Sequence, residues 1–379
     1  MSTSTAIEAP WPRSEPSTLT PGTEQAELRD AIRGLFGKHS TIEQVRAAAD
    51  SPRGYSSTLW QQLVDDMSVT ALAVPEARGG LGYGMVELGI ILEECGRSLV
   101  CEPVYTSAAV GVAALLSATD KAASELLDDV LAGTSIATVS SLTAETDDVR
   151  AHENGNTWTL SGTATHVLGG AGADVIILSA DTTAGRRLFA TTPGDHLSAS
   201  GREVIDPTRR LADLTLRDSP AIPLTTADDH EQIRTRLQDL ATLALACENT
   251  GIVDALLEMT VAYVQTRHQF GRPIGSFQAV KHRLADVLRE LERARSACRY
   301  AAAVYDEDPA GARLAIAVAG AVCTDAAIGA AAEAVQLHGG VGFTWEHPAH
   351  SYFRRAMGNE ALQGDSRAHR ARIADLIGI

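Results

Sequence analysis

The chain is 379 residues long, 45% hydrophobic and 21% charged, the balance of a globular protein with a large core and two or three domains. Its formal net charge of −16 argues against nucleic acid or an anionic membrane as the main partner, since both require clustered positive charge. The five cysteines (Cys95, Cys101, Cys247, Cys298 and Cys323) form no C-x-x-C pair and are odd in number, which argues against a zinc site or a disulfide framework; Cys247, Cys298 and Cys323, in alanine-rich helical sequence, read as buried free thiols, and a reducing cytoplasm fits.

Residues 1–24, rich in Ser, Thr, Pro and Glu, lack the apolar core of a secretory signal and read as a disordered tail. From 25 to 135 the pattern is helical. The stretch from Val86 to Cys95 sets apolar residues three and four apart, and the Pro- and Gly-rich run from Val74 to Gly82 ahead of it reads as a loop. From 136 to 225 the character changes: Trp158-Thr159-Leu160 and Asp174-Val175-Ile176-Ile177-Leu178 are strand-like, and Asn154-Gly155-Asn156 reads as a hairpin turn. Short strands at this spacing predict a small barrel or sandwich.

From 230 to 379 the chain is helical again. Val280, Leu284, Val287, Leu288 and Leu291 predict one face of a helix, and the alanine-rich run 311–338 stops at Gly339-Gly340. No uninterrupted run of about 18 apolar residues predicts a membrane span. The order is an N-terminal helical domain, a small middle β domain and a C-terminal helical bundle, an α+β fold.

Two segments of the last region carry chemistry. In Arg267-His268-Gln269-Phe270-Gly271-Arg272-Pro273-Ile274-Gly275-Ser276-Phe277-Gln278, a helix gives way to a turn at Gly271 and Pro273. An arginine there suits a phosphate, and Phe270 offers a ring face to a purine. In Gln336-Leu337-His338-Gly339-Gly340-Val341-Gly342-Phe343, Gln336 suits an adenine edge or a phosphate, and the two glycines let backbone approach a ligand. Either segment alone also reads as a helical turn with a structural arginine or a glycine cap.

Together, about 65 residues apart, they resemble the flavin-binding signatures of the acyl-CoA dehydrogenase family. Trp60, Val74-Pro75-Glu76, Gly79-Gly80 and Glu93-Glu94-Cys95-Gly96-Arg97 look like that family's first helical domain, and Gly162 and Ala173-Asp174-Val175 keep the rhythm of its β domain. The resemblance covers about residues 25 to 355. It implies a C-terminal four-helix bundle, FAD as cofactor, an acyl-CoA thioester as substrate and an electron-transfer flavoprotein as electron acceptor. It also implies that Arg267, Gln269, Phe270, Phe277, Gln336, Gly339 and Gly340 hold the pyrophosphate and adenosine end of a flavin lodged mainly in a neighbouring subunit.

The same resemblance exposes what is missing. The family's α,β-dehydrogenation needs a carboxylate to remove the α-proton. The usual position of that glutamate holds Gln363, in Leu362-Gln363-Gly364-Asp365, and the alternative position holds Ala241, followed by Thr242. The family's loop against flavin and thioester is replaced by Leu142-Thr143-Ala144-Glu145-Thr146-Asp147-Asp148, and its W-I-T by His166-Val167-Leu168, without the hydroxyl expected near the flavin. Glu248, Glu360 and Asp365 read as surface or capping residues. His166 reads as packed or solvated. Tyr352, Arg354 and Arg355 suit either a CoA phosphate or a solvated helix face.

Three readings follow. The chain is the base-deficient subunit of a hetero-oligomer, as in actinobacterial members acting on bulky, steroid-like acyl-CoA substrates, with a paralogous subunit supplying base and flavin pocket. Or it is an active homotetramer that uses an unconventional base, or a flavoenzyme of altered chemistry, with Glu248 or Asp365 pointing into the pocket. Or it is a non-catalytic scaffold that has lost its cofactor.

Overall fold

The structure, a computed structural model, describes residues 16, 19–118, 121–140, 142, 147–155 and 157–379. The expected tail therefore lies outside the described residues for 1–15, 17 and 18, and the helical pattern begins slightly earlier than expected, at Thr23.

Among the described residues six α-helices come first: α1 (Thr23–His39), α2 (Ile42–Asp50), α3 (Ser57–Asp65), α4 (Met85–Arg97), α5 (Val112–Leu116) and α6 (Lys121–Leu131). The start of α2 is written locally. Thr41 accepts from the Gln44 amide, and the Gln44 side chain caps the Thr41 N–H in return. The predicted loop 74–82 contains one 3₁₀ turn, Glu76–Arg78. Ahead of α5, Val104–Gly111 winds as a wide π-helical segment, a departure from α geometry that recurs at functional sites.

Strands follow: β1 (Ala137–Val139), β2 (Asp147–Asn154), β3 (Thr157–Leu168), β4 (Val175–Thr182), β5 (Gly185–Thr191), β6 (Leu197–Gly201) and β7 (Leu211–Pro223). The pairings β4–β2–β3–β7–β5 and β5–β4 close into a ring, so the sheet is a barrel, with β1 flanking β4 and β6 flanking β7. The expected hairpin joins β2 to β3, with Asn154 opposite Thr157 and Gly155 at φ +64°; Asn156 lies outside the described residues. Alternate residues of the strands point inward and give the barrel its own core around Val149, Leu160, Leu178, Phe189 and Leu214.

The chain then returns to helices: α7 (Ala227–Thr266), a two-stranded ribbon β8 (His268–Gln269) and β9 (Arg272–Pro273), α8 (Gln278–Glu307), α9 (Arg313–His338), α10 (Ala349–Gln363) and α11 (Ser366–Ile377). Helices α7 and α9 are long and apolar enough to cross a membrane by length and composition, although charged residues interrupt them. Here 83% and 72% of those apolar stretches are buried in the bundle. Of the stripe expected on α8, Val287 and Leu291 are buried, but Leu288 is 49% exposed. It sits one residue, about 100° of helix rotation, beyond Val287, outside the face that meets α7 and α9.

One hydrophobic core runs from Ile32 and Phe36 of α1 through α4, α7 and α9 to Ala356 of α10, so the N-terminal helices and the C-terminal bundle are packed as one body. Helices α4 and α7 touch backbone to backbone at two glycines. A Cβ on Gly96 would meet the Glu248 carbonyl oxygen at 1.9 Å, and one on Gly251 would meet that of Glu93 at 1.7 Å. Around this crossing Arg29, Arg33, Arg97 and Arg295 pair with Glu93, Glu94, Asp254 and Glu258.

Candidate functional site

A cleft of about 460 Å³ opens where the π-helical segment, the barrel and the end of α10 meet. That is within the usual size for a small-molecule site. Tyr105, Thr106 and Val110 come from the π-helical segment, Ser140, His166 and Leu168 from the barrel, Ile205, Asp206, Arg209 and Leu211 from the β6–β7 connection and its end, and Gly358, Ala361, Leu362 and Gln363 from α10. Helix α10 ends at Gln363 because Gly364 adopts φ +97°.

Gln363 is fixed at the cleft. Its Nε2 donates to the Tyr105 hydroxyl at 3.0 Å, and its Oε1 lies 3.4 Å from the Thr242 hydroxyl, whose proton goes chiefly to the Gln238 carbonyl at 2.9 Å. Thr242, the neighbour of buried Ala241, thus reaches Gln363 across 121 residues of sequence, and neither Ala241 nor Gln363, the two positions at which the family resemblance expects a carboxylate, is an acid. Burial pushes the Tyr105 phenol up to about 12, which keeps it protonated at neutral pH.

Behind the cleft lies a buried ion network that the residue pattern did not reveal. Arg355 is 0% exposed. Its Nε donates to Asp206 at 2.9 Å and to the Thr208 hydroxyl at 3.0 Å, its Nη1 to Glu248 at 2.8 Å, and its Nη2 to the Val100 and Leu99 carbonyls at 3.1 and 3.3 Å. Arg209 binds the other carboxylate oxygen of Glu248. Burial raises the Glu248 carboxyl, but the Arg209 and Arg355 charges together outweigh it and hold Glu248 below the ordinary carboxylate range.

Three expectations are corrected by this network. Glu248 is a fully buried ion-pair partner, not a surface or capping residue. Arg355 is neither a CoA-phosphate ligand nor part of a solvated face, because its donors are all engaged inside the protein. Tyr352, also turned inward, donates to the Arg97 carbonyl at 2.6 Å. Arg354 lies 4.4 Å over the Trp345 ring. Nothing in the local pattern separates Arg354 from Arg355. The signal lay in Asp206-Pro207-Thr208-Arg209, which begins 149 residues before Arg355.

The remaining candidates fall as follows. Asp365 caps α11, accepting from the Ala368 N–H at 2.8 Å. Glu360 is half-buried, its carboxyl raised by burial and by Asp365 and Asp325. His166 is exposed at the cleft with φ +59°, its backbone N–H donating to Asp213 at 3.0 Å. Of the loop expected against a flavin, Thr143 to Thr146 lie outside the described residues.

The other two motif segments share one end of the bundle. Tyr263, one turn before Arg267, donates to the His338 carbonyl at 3.4 Å, and their rings are 4.3 Å apart. The ribbon turns through Phe270 and Gly271, at φ +53° and +76°. This presents the Phe270 ring 90% exposed, edge to face with Phe277 at 6.0 Å, while Arg272 stands 4.0 Å over Phe277. Arg267, Gln269, Gln336, Gly339 and Gly340 are exposed, and no atom outside the immediate chain lies within 4 Å of a Cβ built on either glycine. A guanidinium, an amide, an aromatic face and an open backbone thus stand together on the surface. They suit the nucleotide half of a dinucleotide cofactor.

Comparison with known proteins bears on both regions. Residues 22–134 match the model of the acyl-CoA dehydrogenase N-terminal domain, and residues 232–378 that of the acyl-CoA dehydrogenase C-terminal domain. The acyl-CoA dehydrogenase IpdE2 of Mycobacterium tuberculosis is 34% identical over 345 residues, covering 91% of this chain and 94% of that one. Among solved structures, the Tcur3481–Tcur3483 steroid ACAD superposes with a TM-score of 0.84 at 31% identity, covering 95% of this chain and 99% of that one. The ChsE4–ChsE5 complex of Mycobacterium tuberculosis does so with a TM-score of 0.85 at 28% identity over the same shares.

Proposed function

The chain belongs to the acyl-CoA dehydrogenase family, flavin-dependent oxidoreductases that act on CH–CH bonds, and from that premise we propose that it is the base-deficient subunit of a hetero-oligomeric member. The observation that carries this reading is Gln363. A neutral amide, held between Tyr105 and Thr242, stands where a proton acceptor is required, and an amide takes no proton at neutral pH. Glu248 and Asp365, the carboxylates that an active homotetramer would need, are committed to two arginines and to a helix cap.

The chain's contribution is the exposed end of the bundle. Arg267 and Gln336 would bind the phosphates and adenine edge of FAD, Phe270 and Phe277 would stack on it, Gln269 would add a polar contact, and Gly339-Gly340 would admit it closely. A bound flavin supplies the hydride acceptor for the oxidation. A paralogous partner supplies the carboxylate. The two-component names of the Tcur3481–Tcur3483 and ChsE4–ChsE5 neighbours support this assembly, and the first supports a bulky, steroid-like acyl-CoA as substrate. An electron-transfer flavoprotein serves as acceptor in this reading. Five buried free thiols suit a reducing cytoplasm.

The test is a visible absorption spectrum of the purified chain, alone and co-expressed with a paralogous partner. Flavin bands confined to the complex support a shared site. Flavin held by the chain alone overturns the subunit reading in favour of a self-sufficient enzyme, and no flavin in either preparation moves the chain to a scaffold role.

A further inference from the structure

The cleft contains one cation whose own network leaves a donor idle. Arg209 is 8% exposed. Its Nη2 is committed to Glu248 and its guanidinium carbon lies 5.8 Å over the Tyr105 ring, but its Nε is buried without an acceptor among the described residues. A buried guanidinium N–H without a partner is unfavourable, and an incoming acceptor relieves it. The walls near it are apolar, formed by Val110, Val139, Leu168, Ile205, Leu211 and Leu362.

Charge decides what kind of acceptor fits. Arg209 and Arg355 face Glu248 and Asp206, so two guanidinium groups meet two carboxylates and the cluster carries no surplus positive charge. An anion entering here would lie beside those carboxylates without a counter-ion of its own. A neutral oxygen carries no such penalty.

We infer that Arg209 is the polar anchor of this cleft, donating from Nε to a neutral oxygen, a ketone or hydroxyl, on the apolar body of an acyl group. The inference rests on the proposed family function for the meaning of the cleft. It assigns specificity to a residue of the β6–β7 connection, independent of Gln363 and of any base.

The probes are cyclohexylacetyl-CoA, its ring-oxo counterpart and its ring-carboxy counterpart, titrated calorimetrically into the full chain with any co-purifying partner retained. The ring-oxo compound should bind roughly tenfold tighter than the plain ring, and the ring-carboxy compound no tighter than the plain ring. Arg209→Met keeps an apolar stem without donors and should bring the oxo and plain rings to equal affinity. If that variant does not fold, the three probes on the unaltered chain still decide. Equal binding of plain and oxo rings overturns the role of Arg209 and leaves the acyl-pocket reading standing. Tightest binding of the carboxylate overturns the neutral acceptor. No binding of any probe overturns both.

Discussion

Gln363 and Tyr105, 258 residues apart, are joined by a 3.0 Å hydrogen bond that ties the end of α10 to the π-helical segment. Gln363→Glu would place a carboxylate, the group that the family resemblance expects there as base, against the Tyr105 hydroxyl. We expect no dehydrogenase turnover from that variant in the isolated chain, because the barrel wall at His166-Val167-Leu168 is also altered. A dye-reduction assay with an acyl-CoA checks this, and sustained turnover by the single variant would show that the chain retains a complete flavin site.

Arg267→Ala should reduce flavin retention in the assembled complex by roughly tenfold or more, since a charge-assisted phosphate contact contributes about 1.5–3 kcal/mol. The absorbance ratio of flavin to protein after gel filtration reads this. An unchanged ratio removes the clamp role.

Phe270 should respond with opposite signs in two assays. Its φ of +53° is unfavourable for a bulky side chain, by about 1–2 kcal/mol. Phe270→Gly removes that strain, offset in part by the greater freedom of glycine in the unfolded chain, so the isolated chain should be no less stable by denaturant titration. Flavin retention in the complex should fall. A loss of stability without a loss of flavin would mark Phe270 as a packing residue.

Arg355→Ala should destabilise the chain by about 3–5 kcal/mol, because it strands Glu248 and Asp206 as buried charges with fewer partners. Chemical denaturation with circular dichroism measures it. A cost below about 1 kcal/mol would mean that water or Arg209 compensates fully.

Acid should loosen the bundle end. His338 donates from Nδ1 to the Ala334 carbonyl at 2.7 Å, leaving Nε2 buried without a partner among the described residues, and its ring lies 4.2 Å from that of His347. Burial lowers both, aided at His347 by the neighbouring His338 and His350; burial also lowers His350, aided by Arg354 and Arg46. With folded values below the ordinary value of about 6.5, the unfolded chain binds more protons there. Stability is therefore present above that pH and lost as pH falls through the lowered folded values. The midpoint of thermal unfolding should drop between pH about 7 and about 5, and His338→Asn should flatten part of that drop. His230 and His369, also lowered by burial, account for some of the remainder.

The architecture was legible because it is written in local signals: the glycine stop after His338, the apolar spacing of α4 and the hairpin at Gly155. The pair of motifs at Arg267 and Gln336 was legible for the same reason, and Tyr263 explains why they meet. The ion network was not. From sequence Glu248 reads as a surface or capping residue, and its partners come from a loop 39 residues before it and a helix 107 residues after it. Burial of a charge depends on who arrives from elsewhere in the chain, which spacing does not encode. Leu288 lies on the expected apolar stripe yet is exposed, since the stripe on α8 is wider than the contact that covers it.

The shared core of α1, α4, α7 and α9 has a consequence for how the chain comes into being. The barrel is an excursion between two halves of a single helical body, and the glycine crossing of α4 with α7 joins residues about 155 positions apart. The first helices to leave the ribosome have no completed interior to enter until the last third of the chain has been made. They must wait with their apolar faces uncovered, whereas the barrel has its own core and can close at once. Truncation after the barrel should therefore leave a folded barrel preceded by helices that aggregate.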